Sequence, residues 1–155
     1  MTASGLAEVA LAESDAPDFV VPVQVNGFGG RMVVDTGSYH AAVDSRLSSR
    51  INARPFVTRA GHARPQSTDE FERVTRIDAR SREVSALVQN APMTPLQSFQ
   101  IGGVPVRAPD IRLRTFDFYS EAAPKAIGAL GVDILGANGA IIDFGARKLY
   151  VVPAR

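Results

Sequence analysis

The stretch RMVVDTGSYHAAVD, Arg31 to Asp44, decides how the rest of the chain is read. Three apolar side chains, Met32, Val33 and Val34, run directly into the carboxylate of Asp35. Thr36, Gly37 and Ser38 follow, and then a second, mostly apolar run. The apolar, β-branched stretch reads as a strand. Asp, Gly and Ser after it read as a tight turn, because Asp and Ser side chains bond nearby backbone and Gly lets the chain bend. Upstream, Phe19 to Val25 is rich in β-branched residues, and NGFGG (Asn26 to Gly30) supplies residues that tolerate positive φ. Phe19 to Val34 is therefore a hairpin with its return strand over Arg31 to Val34. Pro22 predicts that the first strand lies at an edge or carries a bulge.

Beyond the opening stretch, Asp44 or Ser45 can cap a short helix over SRLSSRI. Arg54 to Pro95 is irregular and Arg-rich, with strand-like fragments at Phe71 to Ile77 and Glu83 to Val88. A second hairpin runs from Leu96 to Ile101, turns at Gly102-Gly103, and returns over Val104 to Val106. A strand is expected over Asp110 to Thr115 and a strand end at Ile127 to Leu130. One short helix follows from Val132 to Ala137, stopped by Asn138-Gly139. The closing segment AIIDFGARKLYVV reads as two strands around a Gly145 turn. The balance is mostly β with one or two short helices.

A chain of 155 residues suits one domain or at most two very small ones, and buries enough surface to need no staple. A hydrophobic content of 45% and a charged content of 21% are those of an ordinary globular protein. A net charge of +1 argues against a general attraction to nucleic acid or anionic membranes. The absence of Cys removes disulfides, thiolate nucleophiles and zinc-thiolate sites. No apolar run reaches the length of a membrane span. Residues 1–17 are acidic, lack a basic start and read as a flexible N-terminal extension. A periplasmic or membrane-tethered location would require an export signal or anchor missing from this chain.

Asp35-Thr36-Gly37-Ser38 behind an apolar strand resembles the active-site loop of aspartic proteases. AIGALGVDILGANGAIIDFGARKLYV resembles the C-terminal half of retropepsin-like domains: two hydrophobic residues and a Gly (Ala129, Leu130, Gly131), a short helix, then a closing hairpin. The resemblance covers roughly Phe19 to Ile51 and Leu96 to Val152. It implies a mostly β, closed, barrel-like retropepsin-like lobe over residues 18–155, functional as a two-fold homodimer. Residues 54–95 would be an insert or flap, with Gly61 as its candidate tip. Each chain would supply one catalytic Asp35. Two carboxylates close together share a proton, so one activates a water while the other polarises the scissile carbonyl. The resemblance thus implies an aspartic endopeptidase acting on peptides or proteins, without cofactor or metal. Thr36 would bond across the dimer and Gly37 would let the backbones approach. Ser38 could donate to the carboxylate and favour its charged form.

Competing readings are weaker on the residues. Asp143 in AIIDFG mimics Asp35 but lacks the Thr and falls at a hairpin turn. Asp133 reads as a first-turn helix residue favoured by the helix dipole. His40 and His62 have no metal-ligand spacing, and with no identifiable orienting acid, Ser38 and His40 do not make a triad. GFGGRM joins two strands and so is not a dinucleotide loop. Nine Arg against four acidic residues lie between Arg46 and Arg82, but Phe56 and Phe71 are too few for a nucleic-acid stacking platform. Ile111, Leu113 and Ile127 are candidates for subsite walls. The alternative function is a catalytically silent peptide-binding or dimerisation module of the same fold. The intact Asp-Thr-Gly favours the enzyme.

Overall fold

Asn26 and Gly27 take φ of +49° and +83°, the pair of positive values that a two-residue hairpin turn requires. They join β3 (Phe19–Val25) to β4 (Phe28–Val34), whose register begins at Val25 opposite Phe28. The return strand therefore starts at Phe28 rather than Arg31, because two residues suffice to reverse the chain. The Asn26 side chain also ties three segments together. Its Nδ2 donates to Ile51 O (2.9 Å), and its Oδ1 accepts from Gln97 N (2.8 Å) and Ser98 N (3.1 Å).

The structure is a computed structural model and describes residues 5–13, 18–53, 93–117 and 126–155. Gly61 and the strand-like fragments at 71–77 and 83–88 lie outside the described residues. The remaining strands are β1 (Ala7–Ala10), β2 (Ala12–Glu13), β5 (Ala42–Asp44), β6 (Met93–Pro95), β7 (Phe99–Ile101), β8 (Val104–Pro105), β9 (Asp110–Arg114), β10 (Gly128–Leu130), β11 (Ile141–Asp143) and β12 (Lys148–Val151). Among the described residues, a 3₁₀ turn covers Ser45–Leu47 and one α-helix, α1, covers Val132–Ala137 and ends at Asn138-Gly139.

The strands form two sheets. One runs β6-β9-β5-β10-β4-β3-β7-β8, with β2 beside β3, and the other runs β1-β12-β11. The larger is a curled half-barrel; among the described strands its path ends on β6 and β8 rather than closing. Its decisive feature is β10, which enters between β4, to which it is parallel, and β5, to which it is antiparallel. Leu130 thereby stands beside Val34, immediately before Asp35.

Three sequence expectations are corrected by the pairing. β3 is an interior strand, flanked by β4 from Val20 to Val25. Pro22 is tolerated because the opposite flank changes partner there: β2 pairs with Phe19 and Val20, while β7 pairs with Val23 to Val25. At the gap no ladder bond needs the N–H that Pro lacks, and Pro22 O accepts from Gly102 N (2.8 Å). The stretch read as a flexible extension contains β1, antiparallel to β12 with Val9 opposite Leu149, and Val9 and Leu11 are buried in the core. Apolar alternation over Ala7–Ala10 satisfies a strand whose partner lies at the other end of the chain. Ile111, Leu113 and Ile127 are core residues rather than open subsite walls.

Among the described residues, Asp44 is the fully buried anion, with an exposure of 0%. It caps the 3₁₀ turn by accepting from Arg46 N (3.0 Å). The Arg46 guanidinium grips it at both oxygens (Nε to Oδ1 and Nη2 to Oδ2, each 2.8 Å), and Phe116 N donates to Oδ2 (2.9 Å). Burial pushes the Asp44 carboxyl up. The Arg46 side chain and the two backbone N–H groups outweigh it and hold the carboxyl below its ordinary value.

Asp44→Asn should cost about 3 kcal/mol near neutral pH, at the lower end for a broken buried pair because Arg46 itself reaches solvent. A carboxyl lowered on folding stabilises the fold above its unfolded value of about 3.9 and loses that contribution as pH falls through the lowered one. Urea unfolding of both proteins should therefore show a gap that is full at neutral pH and narrows only below about pH 3.9.

Candidate active site

Asp35 sits where β4 ends and its position is set from the neighbouring strand, since Asp35 N donates to Leu130 O (3.1 Å). The chain then turns, with Ser38 N donating to Asp35 O (3.3 Å). The Asp35 carboxylate faces back into this turn. Oδ1 accepts from Gly37 N (3.0 Å) and Ser38 N (3.2 Å), and Oδ2 accepts from the Ser38 hydroxyl (2.6 Å). All three donors are neutral. Asp35 and Ser38 are half-buried, while Thr36 and Gly37 are exposed at the tip.

The second half of the loop is strapped to α1 and β9. The first N–H groups of a helix have no partner within it. Here Val132 N donates to Ser38 O (3.0 Å) and Asp133 N to Tyr39 O (2.9 Å). Asp133 does more than favour the helix dipole, because its Oδ1 accepts from Ala41 N (2.9 Å) and Ile134 N (2.7 Å). From β9, Arg112 N donates to Ala41 O (3.1 Å).

The segment Ala129, Leu130 and Gly131 now has a physical account. Ala129 and Leu130 are buried strand residues, and Leu130 supplies the carbonyl that holds Asp35. Gly131 passes so close to the loop that a Cβ on it would lie 2.6 Å from the His40 carbonyl carbon and 2.7 Å from Ala41 N. Gly128, at the start of β10, is tighter still, with a Cβ falling 2.0 Å from Ala42 O.

Sequence reading missed one cluster. The His40 ring lies between Asp133, whose Oδ2 is 3.4 Å from Nδ1, and Arg112, whose Nη2 is 3.2 Å from Nε2. An acid does face His40, but it comes from α1, and no local pattern near His40 signals it. The Ser38 hydroxyl is engaged by Asp35, so these residues do not form a Ser-His-Asp relay. Asp143 belongs to the other sheet, at the end of β11, where it is exposed and its Oδ1 accepts from Ala146 N (2.7 Å) across the turn. Among the described residues, no three His, Asp or Glu side chains cluster as a metal site would need.

The architecture as a whole is shared with a solved structure. The protein is similar to a retropepsin-like aspartic protease from Rickettsia conorii, with a TM-score of 0.53 over 94% of this chain and 90% of that one. This chain has the retropepsin-like fold. The two share 17% sequence identity, so the likeness is one of architecture. No protein-family model matches the sequence, and no curated protein is similar to it in sequence. In this retropepsin-like lobe the loop carrying Asp35 is held by neutral donors and by the close approach of Gly131.

Two glycines near the helix should respond oppositely to alanine. Gly131→Ala must push the His40–Ala41 backbone aside and should cost about 1–3 kcal/mol, the usual range for overpacking. Gly136 lies inside α1, and a Cβ added there would meet nothing within 4 Å. Gly136→Ala should therefore stabilise the fold by about 0.4–1 kcal/mol. Denaturant midpoints of the two variants check both signs.

Proposed function

We propose that the protein is an aspartic endopeptidase in which two copies bring their Asp35 carboxylates together around one water. The observation that carries this reading is the Asp35 carboxylate itself. Within a retropepsin-like lobe it ends a core strand, and among the described residues only Gly37 N, Ser38 N and the Ser38 hydroxyl bond to it. A carboxylate so held keeps its orientation without a neutralising cation, and stays available to share a proton with a second acid.

One lobe supplies one such acid, and the chemistry needs two. Like charges at close range cannot both ionise freely, so the pair holds a single proton. The ionised member takes a proton from the water, which attacks the scissile carbonyl. The protonated member donates to the carbonyl oxygen as charge develops there. A two-fold axis between the loops provides this pair from identical chains. Thr36, exposed at the loop tip, is then available to bond across that axis, and the substrate is a peptide or protein chain lying over both loops.

Asp35→Asn should abolish cleavage of a peptide library while leaving fold and dimer intact, because Asn keeps the shape but cannot share the proton. Asp143→Asn should leave cleavage largely in place, and specific activity should fall on dilution as the dimer separates. Loss of activity in folded Asp143→Asn would mean that each chain carries both acids. A dimer that binds peptides without cutting them at any pH would support the silent-module alternative.

Activity should peak in acid and fade toward neutrality, since the working form holds one proton between two aspartates. The Ser38 hydroxyl bonds the charged form and so assists loss of that proton. Ser38→Ala should move the alkaline limb of kcat/KM to higher pH with folding unchanged. An unmoved limb would show that the hydroxyl does not act on the pair.

A further inference from the structure

The closing hairpin turns beside the Asp35 loop. β11 and β12 reverse direction over residues 144–147, and three contacts fix that turn against the large sheet and the strands that lead into it. Leu11 N donates to Arg147 O (2.9 Å), the Arg147 guanidinium meets Glu13 (2.6 Å), and the Phe144 ring packs against Phe19 with centroids 5.3 Å apart. Phe19 stands one residue before Val20, which pairs with Val33, so it marks the end of the β3–β4 hairpin from which Asp35 leaves. The Phe19–Phe144 pair therefore neighbours the Asp35 loop on its β3 side, as β10 does on the other. Phe144 is nevertheless 50% exposed. The charges around it are answered within the chain, Arg147 by Glu13 and Lys148 by Glu8 (2.9 Å). What remains is an aromatic surface rimmed by paired charges, the composition of a protein–protein contact rather than of a solvated face.

We propose that the Phe19–Phe144 pair is part of the contact between two copies of this chain. The inference rests on the peptidase reading, which requires two Asp35 carboxylates to share one water and so turns the surfaces next to each loop toward the partner. Thr36 and Gly37 at the tip are too small to hold the copies together, since a stable interface buries about 800 Å² on each side. The two-fold must recruit the surface flanking the loop, and on the β3 side that is Phe144 on Phe19. The hairpin turn is pinned by backbone and ion-pair contacts before association, so little freedom is lost when the rings are covered. A two-fold axis presents the pair twice, once from each copy. A net charge of +1 opposes the approach of like chains only weakly.

Sedimentation of the intact protein over a dilution series gives the dimer Kd. Phe144→Ser should raise it about tenfold or more, the effect of truncating a central aromatic contact, while specific activity recovers at high protein concentration. Val152→Ser is the control. Val152 is 48% exposed but lies past the far end of β12, roughly 13 Å along the strand from the turn, and this change should leave the Kd where it was. A second measurement uses the wild type alone: amide exchange over residues 144–147 should slow as concentration rises through the Kd. An unchanged Kd in Phe144→Ser, equal weakening by Val152→Ser, or exchange at the turn indifferent to dimerisation overturns the proposal. So does an unchanged Kd with a raised KM, which would give the rings to the peptide. A dimer that weakens with Phe144→Ser but cleaves nothing at any pH sinks the peptidase reading and leaves the contact standing. A chain that cleaves while monomeric at every concentration sinks both.

Discussion

β10 fits between β4 and β5 only because Gly128 has no side chain to collide with Ala42 O. The rest of the site follows from that insertion. With β10 in its slot, Leu130 O meets Asp35 N, Gly131 rests against the His40–Ala41 backbone, and the first N–H groups of α1 reach the carbonyls of Ser38 and Tyr39. None of these contacts is local to the Asp35 loop. The loop closes on its own through Ser38 and Gly37, but its place relative to the core is dictated by a strand from much later in the chain. Such a pairing joins strands about a hundred residues apart, so its loop-closure cost is carried by the whole fold rather than by the loop.

What was legible in the sequence was whatever a short window encodes. Asn26-Gly27 announced a turn because only such residues take positive φ cheaply, and Asn138-Gly139 announced a helix end for a related reason. Asp44 was readable as a cap, since its side chain bonds a backbone N–H two residues on. What was not legible was partnership. Pro22 suggested an edge, yet it sits inside the sheet at a seam between two flanking strands, and no local pattern reveals a seam. Ala7–Ala10 looked like a tail because four residues are too few to declare a strand without β12 beside them. The hydrophobic-Gly segment was recognisable as a pattern, but the reason for its Gly is a backbone from elsewhere. His40 is the extreme case, since its environment is made by Asp133 and Arg112, both remote in sequence.

Three aspartates show how little the local pattern alone decides. Asp35, Asp44 and Asp143 each stand at the end of a strand, and each accepts from a backbone N–H two or three residues further on. Their surroundings separate them. Asp143 is exposed in a hairpin, where it bonds across the turn. Asp44 is excluded from water and neutralised by Arg46, so its charge is committed to the fold. Asp35 is half-buried and, among the described residues, bonded only to neutral donors. Of the three, it alone combines partial burial with a charge that no nearby cation has neutralised.

The contrast between Asp35 and Asp44 also bears on how such a fold could work in acid. An aspartate pair needs conditions in which it holds one proton, and those same conditions threaten every carboxylate on which the fold relies. Asp44 is protected from that threat by its partners. Burial alone would push its carboxyl up and make it the first group to protonate and fail. Arg46 and the N–H groups of Phe116 and Arg46 reverse the direction, so the carboxyl stays ionised further into acid than a free aspartate would. Its stabilisation is then lost only as pH falls through that lowered value, below the ordinary carboxylate range. The buried anion thus remains committed to the fold, paired with Arg46, in mild acid that would threaten a carboxylate buried without such partners.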